Sequence, residues 1–206
     1  MNNSIIYVVD DDTSICKATS LLLQSNGFRV ETFTRAADFL AFKHLKVTSC
    51  LLLDIRLPNI NGFALQEVMA QRGIITPVIF MTGFGDIPMS VKAMKAGAID
   101  FLLKPFTEKK LLNAITLAIS KSKIQNIKQA EIEKIKGRIK TLSPRELEVF
   151  HFVARGMMNK NIASKRGTSL QTIKVHRGRV MQKMQAKTAT ELIHLAQKAG
   201  LTSSLD

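Results

Sequence analysis

The chain has 206 residues, of which 46% are hydrophobic, and its 30 Lys and Arg against 16 Asp and Glu give a net charge of +14. This apolar content is enough for a packed core and excludes a wholly disordered chain. No apolar run reaches the roughly 20 residues that a membrane-spanning helix needs, and no secretory signal opens the sequence. We therefore expect a soluble, cytoplasmic protein without a membrane partner.

The positive charge is unevenly distributed along the chain. Residues 1–120 contain 12 Lys and Arg and 10 Asp and Glu, whereas residues 121–206 contain 18 and 6. A strongly basic segment is typical of a domain that binds a polyanion such as nucleic acid. A solvated, lysine-rich surface is the alternative.

Short apolar runs alternate with helix-like periodicity through residues 1–120. The apolar runs predict five strands, at residues 4–11, 28–33, 49–54, 76–83 and 99–106. The periodic segments predict five helices, at residues 13–27, 34–43, 62–73, 87–98 and 107–122. Strict alternation of strand and helix is typical of an α/β domain, so we predict a doubly wound five-stranded parallel sheet covered on both faces.

A polar segment with irregularly spaced isoleucines follows, KIQNIKQAEIEKIKGRIK. It contains no proline, and we predict that it extends the preceding helix and forms a linker over residues 121–140. A dimer seam is an alternative, although the spacing is too irregular for a coiled coil.

Residues 141–206 show helical patterns and no strand, and they predict a small domain of four helices at residues 142–156, 159–167, 169–186 and 188–200. The first helix carries a strong start signal: Ser143 as N-cap, Pro144 at the first helical position and Glu146 three residues after the cap.

Polar residues follow four of the five predicted strands. They are, in chain order, Asp10, Asp11, Asp12, Asp54, Thr82 and Lys104. The carboxyl ends of parallel strands meet at one edge of a sheet, so we expect these side chains to lie together. Clustered carboxylates repel one another and suit a hard cation, Mg²⁺ in particular.

Asp54 ends an apolar strand, where an unpaired charge is costly. With Mg²⁺ and Lys104 beside it, this carboxylate can act as a nucleophile that accepts a phosphoryl group, and Thr82 can donate a hydroxyl hydrogen bond. Each residue alone has a plainer explanation: Asp10–Asp12 can cap the next helix, Thr82 can belong to a turn, and Lys104 can lie in a loop.

Four segments together resemble the receiver domain of two-component response regulators: VVDDD, LLLDIRLPNINGF, MTGFGD and DFLLKPF. The resemblance covers residues 1–120 and implies a CheY-like or flavodoxin-like fold with Asp54 as phospho-acceptor. It implies as Mg²⁺ ligands Asp10, Asp11, Asp54 and the backbone carbonyl of Arg56. It further implies that Thr82 and Phe101 are switch residues, and that Lys104 contacts the phosphate and precedes Pro105 through a cis bond. Phe101 has no hydroxyl that could fix its position.

Haloacid-dehalogenase-like phosphatases use similar chemistry on a related sheet and are a rival interpretation. Their nucleophile motif, DxDxT, is only partly matched by DDDTS, because position 14 is Ser. Their second acid, four residues after Asp86, is missing, and Asp54 would have no role. We therefore expect a regulator rather than an enzyme.

The basic region has the layout of a helix-turn-helix. Ile162 and Ala163 lie on a first helix, Gly167 lies in the turn, and Ser169 can cap a second helix. The inner side of this second helix carries Ile173, Val180 and Met184, and its outer side carries Thr172, Lys174, Val175, Arg177, Arg179 and Lys183. Such a helix fits the major groove of double-stranded DNA.

Residues 141–200 resemble the LuxR-type DNA-binding domain in LSPRELEVF, ARGMMNKNIA and TIKVHRGRVMQKM. The resemblance implies that Asn159 and Lys160 approach phosphates and that Lys174, Val175 and position 178 face bases. The chain departs from the pattern at Arg166 and Thr168, where the turn is usually apolar, and at Gly178. Either the turn packs less tightly, or Arg166 extends to solvent or phosphate.

The whole chain resembles a NarL/FixJ-type regulator and especially the FixJ branch. That implies a transcription factor that a sensor histidine kinase phosphorylates on Asp54. Phosphorylation would either free the basic domain or promote a homodimer on two half-sites of promoter DNA, with RNA polymerase as a further partner. A constitutive DNA-binding protein whose receiver is only an interaction module is the alternative.

Overall fold

The protein is described by a computed structural model that covers residues 4–43, 47–84 and 87–201. The chain separates into two compact units, residues 1–127 and residues 128–206. Asp86, which belongs to the phosphatase interpretation, lies outside the described residues.

The first unit is a five-stranded parallel sheet with the strand order β2-β1-β3-β4-β5. Its strands are β1 (Ile5–Val9), β2 (Arg29–Phe33), β3 (Ser49–Asp54), β4 (Val78–Thr82) and β5 (Asp100–Leu103). Its helices are α1 (Thr13–Ser25), α2 (Ala36–Ala41), α3 (Gly62–Gln71), α4 (Ile87–Lys95) and the start of α5 (Glu108–Ile139). The predicted doubly wound fold is confirmed.

Both faces of the sheet are buried, which explains why the central strands are apolar throughout. In β1, Tyr7 packs into one core cluster, whereas Ile6 and Val8 pack into the cluster on the opposite face. Alternate side chains of a strand point to opposite faces, so a strand covered twice reads as one continuous apolar run. The strand order reverses between β1 and β3, and this is where such sheets place their sites.

The second unit is helical and is built on one core. It comprises the end of α5 with α6 (Pro144–Ala154), α7 (Asn159–Arg166), α8 (Leu170–Met184) and α9 (Ala189–Lys198). Phe150, Ile162, Val180 and Leu192 are fully buried in that core. The predicted start of α6 is confirmed, since Ser143 and Glu146 cap it with reciprocal side-chain to backbone hydrogen bonds.

Helix α5 continues without a break through the segment that was predicted to be a linker. Ile135 is buried and Ile139 packs beside it in the second core, whereas Ile124 and Ile127 are 56% and 62% exposed. Part of the predicted linker is therefore core structure of the second unit. Neither α5 nor any other helix of the described ranges combines the length and the apolar character needed to cross a bilayer.

Candidate functional site

Three carboxylates meet at the carboxyl ends of β1 and β3, as the sequence predicts. Asp10, Asp11 and Asp54 each place an oxygen within 4.8 Å of the other two. Asp10 and Asp54 are buried, whereas Asp11 is exposed. A group of oxygen ligands with one open side is suited to Mg²⁺, which keeps several of its waters.

Asp12, the third residue of the acidic run, has a different role. Its carboxylate is the N-cap of α1 and accepts hydrogen bonds from the backbone N–H groups of Ser14, at 2.7 Å, and Ile15, at 3.3 Å. The capping alternative therefore holds for Asp12, while Asp10 and Asp11 face Asp54.

Lys104 is the cation of this cluster. Its Nζ lies 2.5 Å from Asp10 Oδ2 and 3.1 Å from Asp54 Oδ1, and the Lys104–Pro105 peptide is cis, as predicted. Burial raises the pKa of Asp10 even though Lys104 hydrogen-bonds to it. Burial alone would lower the pKa of Lys104, but its hydrogen bonds to the two carboxylates outweigh this and raise that pKa. Lys104 contacts Asp10 and Asp54, so among these four side chains the carboxylates outnumber the ammonium and the cluster still favours an added cation.

The chain turns tightly behind Asp54. Asp54 Oδ2 accepts a hydrogen bond from the Arg56 N–H at 3.0 Å, and the Gly62 N–H donates to the Ile55 carbonyl at 2.9 Å. A Cβ atom on Gly62 would stand 2.6 Å from the Asp54 carbonyl oxygen. The sequence predicted Gly62 as the first residue of a helix but did not reveal that the turn needs a residue without a side chain here.

Thr82 ends β4 with its side chain fully buried, and its hydroxyl bonds to its own loop. Thr82 Oγ1 donates to the Phe84 carbonyl and accepts from the Phe84 N–H, both at 3.3 Å. The Phe84 ring is 67% exposed and lies under the Arg56 guanidinium. Nothing in the sequence pattern singled out Phe84.

Phe101 is half-buried on β5, opposite Phe80 of β4, and it packs against the core cluster on that face. Its ring is therefore turned toward the protein rather than the solvent. Its predicted role as a switch residue stays a prediction.

In the second unit, α8 presents the two sides that the sequence predicts. Ile173, Val180 and Met184 are buried. The exposed residues of the opposite side include Ser169, Thr172, Lys174, Val175, Gly178, Arg179 and Lys183. Ser169 caps the helix by accepting from the Thr172 N–H at 3.0 Å, and Gly167 in the preceding turn has a φ of +58°.

Two of the predicted DNA contacts are paired with each other. Arg177 Nη1 donates to Asn159 Oδ1 at 2.6 Å, and both residues are half-buried. The pair links α8 to the first residue of α7, while the neighbouring Lys160 is exposed.

Lys183 has a structural partner that the sequence did not reveal. Its Nζ lies 2.6 Å from Glu146 Oε2 and 3.1 Å from the Thr141 carbonyl. Hydrogen bonds from Lys183 and from the Ser143 N–H lower the pKa of the buried Glu146 to about 2. The Lys183 ammonium thus links α8 to the start of α6, and its place among the predicted DNA contacts of α8 stays a prediction.

Comparison with family models matches both units. Residues 6–116 match the response regulator receiver domain, and residues 140–196 match the LuxR family of bacterial regulatory proteins. The receiver match leaves no support for the phosphatase interpretation.

Individual relatives match over nearly the whole chain. Nodulation protein W of Bradyrhizobium diazoefficiens is 41% identical, with coverage of 98% of this chain and 88% of its own. The transcriptional regulatory protein FixJ of the same species is 39% identical, with coverage of 95% and 96%. Among solved structures, the response regulator StyR superimposes with a TM-score of 0.75 at 40% identity, over 95% of this chain and 98% of its own.

Proposed function

Since the chain belongs to the NarL/FixJ-type two-component response regulators, with a receiver followed by a LuxR-type DNA-binding domain, we propose that phosphorylation of Asp54 by a sensor histidine kinase controls its binding to promoter DNA. The observation that carries the proposal is the placement of the Asp54 carboxylate beside Asp10, Asp11 and Lys104.

Asp54 is the proposed nucleophile. One of its carboxylate oxygens attacks the phosphorus of the donor phosphoryl group, and the bond from phosphorus to the donor breaks. The Lys104 ammonium, already 3.1 Å from Asp54 Oδ1, stabilises the negative charge on the transferred oxygens.

The residues present fit Mg²⁺, because Asp10, Asp11 and Asp54 bring three carboxylates together and Lys104 contacts two of them. Asp10, Asp11, Asp54 and the Arg56 carbonyl would hold it. When bound, Mg²⁺ neutralises charge on the phosphoryl oxygens.

Thr82 and Phe101 are the proposed switch residues. For the Thr82 hydroxyl to reach a phosphoryl group on Asp54, it must leave the Phe84 backbone groups that it now contacts. Phosphorylation then shifts an equilibrium between two arrangements of this loop, and the shifted state favours a homodimer on two DNA half-sites.

The exposed side of α8 is the proposed DNA-reading surface. Lys174 and Val175 lie on its first turns, where a helix in the major groove meets base edges. We expect phosphate contacts from four exposed residues, Lys160, Ser169, Thr172 and Arg179, and the Arg177–Asn159 pair joins α8 to α7 behind them.

The direct test compares DNA binding with and without a small phosphodonor. Wild type treated with acetyl phosphate and Mg²⁺ should gain one phosphoryl mass and bind a selected promoter site more tightly, whereas Asp54→Asn should do neither. Equal binding of treated and untreated wild type would favour the constitutive alternative. Equal labelling of both proteins would reject Asp54 as the acceptor.

A further inference from the structure

A cavity of about 330 Å³ lies beside α8, away from the residues proposed to read bases. It is formed by α6, by the turn that follows α7 and by α8. Its polar and charged lining residues include Arg145, Glu148, Arg166, Thr168, Thr172 and His176. Thr172 and His176 are one turn apart, so they share one flank of α8, between its buried row and its exposed face.

The cavity carries more positive than negative charge. Arg166 Nη2 lies 2.6 Å and Arg145 Nη1 lies 3.1 Å from the same oxygen, Glu148 Oε2. One carboxylate therefore faces two guanidinium groups. Both pairs are partly exposed, since the Glu148 side chain is 40% accessible to solvent, and such ion pairs are weak enough to exchange partners.

Further polar residues complete the lining. Thr168 and Thr172 line the cavity, and the Thr172 hydroxyl lies 2.8 Å from the Ser169 hydroxyl. The Nδ1 atom of His176 is buried with no hydrogen-bond partner in the described part of the chain. Arginine forks together with hydroxyl and imidazole donors are the groups that recognise phosphate.

We infer that this cavity binds one backbone phosphate of the DNA duplex, with Arg166 as its principal ligand and Glu148 as a competitor that holds Arg166 when DNA is absent. The inference rests on the proposed function of α8. A helix in the major groove has a phosphate backbone on each side. Arg177 contacts Asn159 of α7, and it lies on the other side of the buried row from His176. The two flanks of α8 would therefore each contact the phosphate backbone of one DNA strand.

Binding to a random-sequence duplex at several salt concentrations tests the inference. Arg166→Gln should reduce the slope of log affinity against log salt by about one per bound copy and weaken binding roughly three- to tenfold. Glu148→Gln should tighten binding by a similar factor without changing the slope, because Arg166 no longer has to leave a competing carboxylate. Arg166→Lys should keep the slope, because the charge remains.

The Lys198–Glu131 pair supplies matched controls. It is an exposed ion pair of 2.7 Å in the same unit. Glu131 belongs to α5 and Lys198 to α9, so neither residue is part of α8 or of the cavity lining. Lys198→Gln and Glu131→Gln make the same charge changes as the two test variants and should leave the slope unchanged. Any change in affinity that these two controls show measures the general effect of net charge on DNA binding, and it is subtracted from the effect of the test variants.

The inference is overturned if Arg166→Gln changes the slope no more than Lys198→Gln does, or if Glu148→Gln weakens binding as Arg166→Gln does. The second result would mean that the pair only holds the turn in place. Wild type that fails to bind any duplex would reject the proposed function as well, whereas tight wild-type binding with unaffected variants would reject the phosphate site alone.

Discussion

The guanidinium of Arg56 lies over the ring of Phe84, 4.3 Å from its centroid. This contact joins the loop that follows the proposed phospho-acceptor to the loop that follows Thr82. The Thr82 hydroxyl is bonded to the backbone of Phe84, so the stacked ring helps to keep that hydroxyl in the arrangement that the proposed switch would have to leave.

Phe84→Ala should therefore favour the activated state. An exposed cation–π contact contributes about 0.5–1 kcal/mol, so its loss should shift the equilibrium roughly two- to fivefold. The measurement is the acetyl phosphate concentration that gives half-maximal DNA binding, which should fall by that factor. Leu21→Ala, which truncates another exposed apolar side chain, should leave the concentration unchanged. An unchanged value for Phe84→Ala would show that the stack does not restrain Thr82.

Mg²⁺ should raise the melting temperature of the full chain, because it binds the folded carboxylate cluster and not the unfolded chain. Asp11→Ala should remove this effect. Asp12→Ala is the matched control: it should lower stability by about 1 kcal/mol through loss of the α1 cap but keep the response to Mg²⁺. If Mg²⁺ stabilises Asp11→Ala as well as wild type, Asp11 is not a ligand.

Gly62→Ala should destabilise the first unit by on the order of 1–3 kcal/mol, because the new methyl group collides with the backbone at Asp54. It should also slow labelling by acetyl phosphate, since the backbone next to the acceptor must move.

Gly178→Ala is the opposite case, because a Cβ there meets nothing within 4 Å. In a helix interior this change should stabilise by up to about 1 kcal/mol. Denaturant unfolding of both variants checks the contrast.

The Glu146–Lys183 contact should make the second unit sensitive to acid. The pKa of Glu146 is about 2 in the folded chain, against an ordinary value of 4.5. A depressed carboxyl pKa adds stability that is complete above pH 4.5 and is lost as the pH falls toward 2. Glu146→Gln should cost about 1–3 kcal/mol at pH 7, and the deficit should shrink between pH 4.5 and pH 2.

Calorimetry of the full chain at pH 7, 5 and 3 would follow this deficit. Glu131→Gln, in an exposed pair with Lys198, should cost less than about 1 kcal/mol at any of these values. A deficit for Glu146→Gln that is the same at pH 3 and pH 7 would contradict the assignment.

Lys174→Ala should reduce the preference for a selected site over random DNA. Loss of a base contact costs about 1–3 kcal/mol and acts on the specific site alone. Lys183→Ala should instead lower the thermal stability of the second unit and leave the salt slope of DNA binding unchanged, because its ammonium serves Glu146. Binding isotherms on both duplexes, beside melting curves, separate these two effects.

The contrast between Lys174 and Lys183 shows what sequence could and could not predict. Strand-end residues such as Asp54 and Lys104 were placed correctly because parallel strands all end at one edge, whatever the loops do. Helical periodicity correctly predicted which residues of α8 are buried, because apolar residues three or four positions apart lie on one side of a helix. Partners on other helices were not visible: Lys183 looked like a solvent-facing cation, and Glu146 looked like a capping residue only. Periodicity gives the direction of a side chain and not the identity of the group that it meets.

The position of Lys104 between Asp10 and Asp54 also affects how the first unit should behave when Mg²⁺ is scarce. The ammonium already offsets part of the repulsion among the acids, so we expect the first unit to keep its fold without Mg²⁺. We expect metal scarcity to slow the acquisition of phosphate while leaving the amount of intact regulator unchanged. A cell that regains magnesium would then recover its response at once, without new protein synthesis.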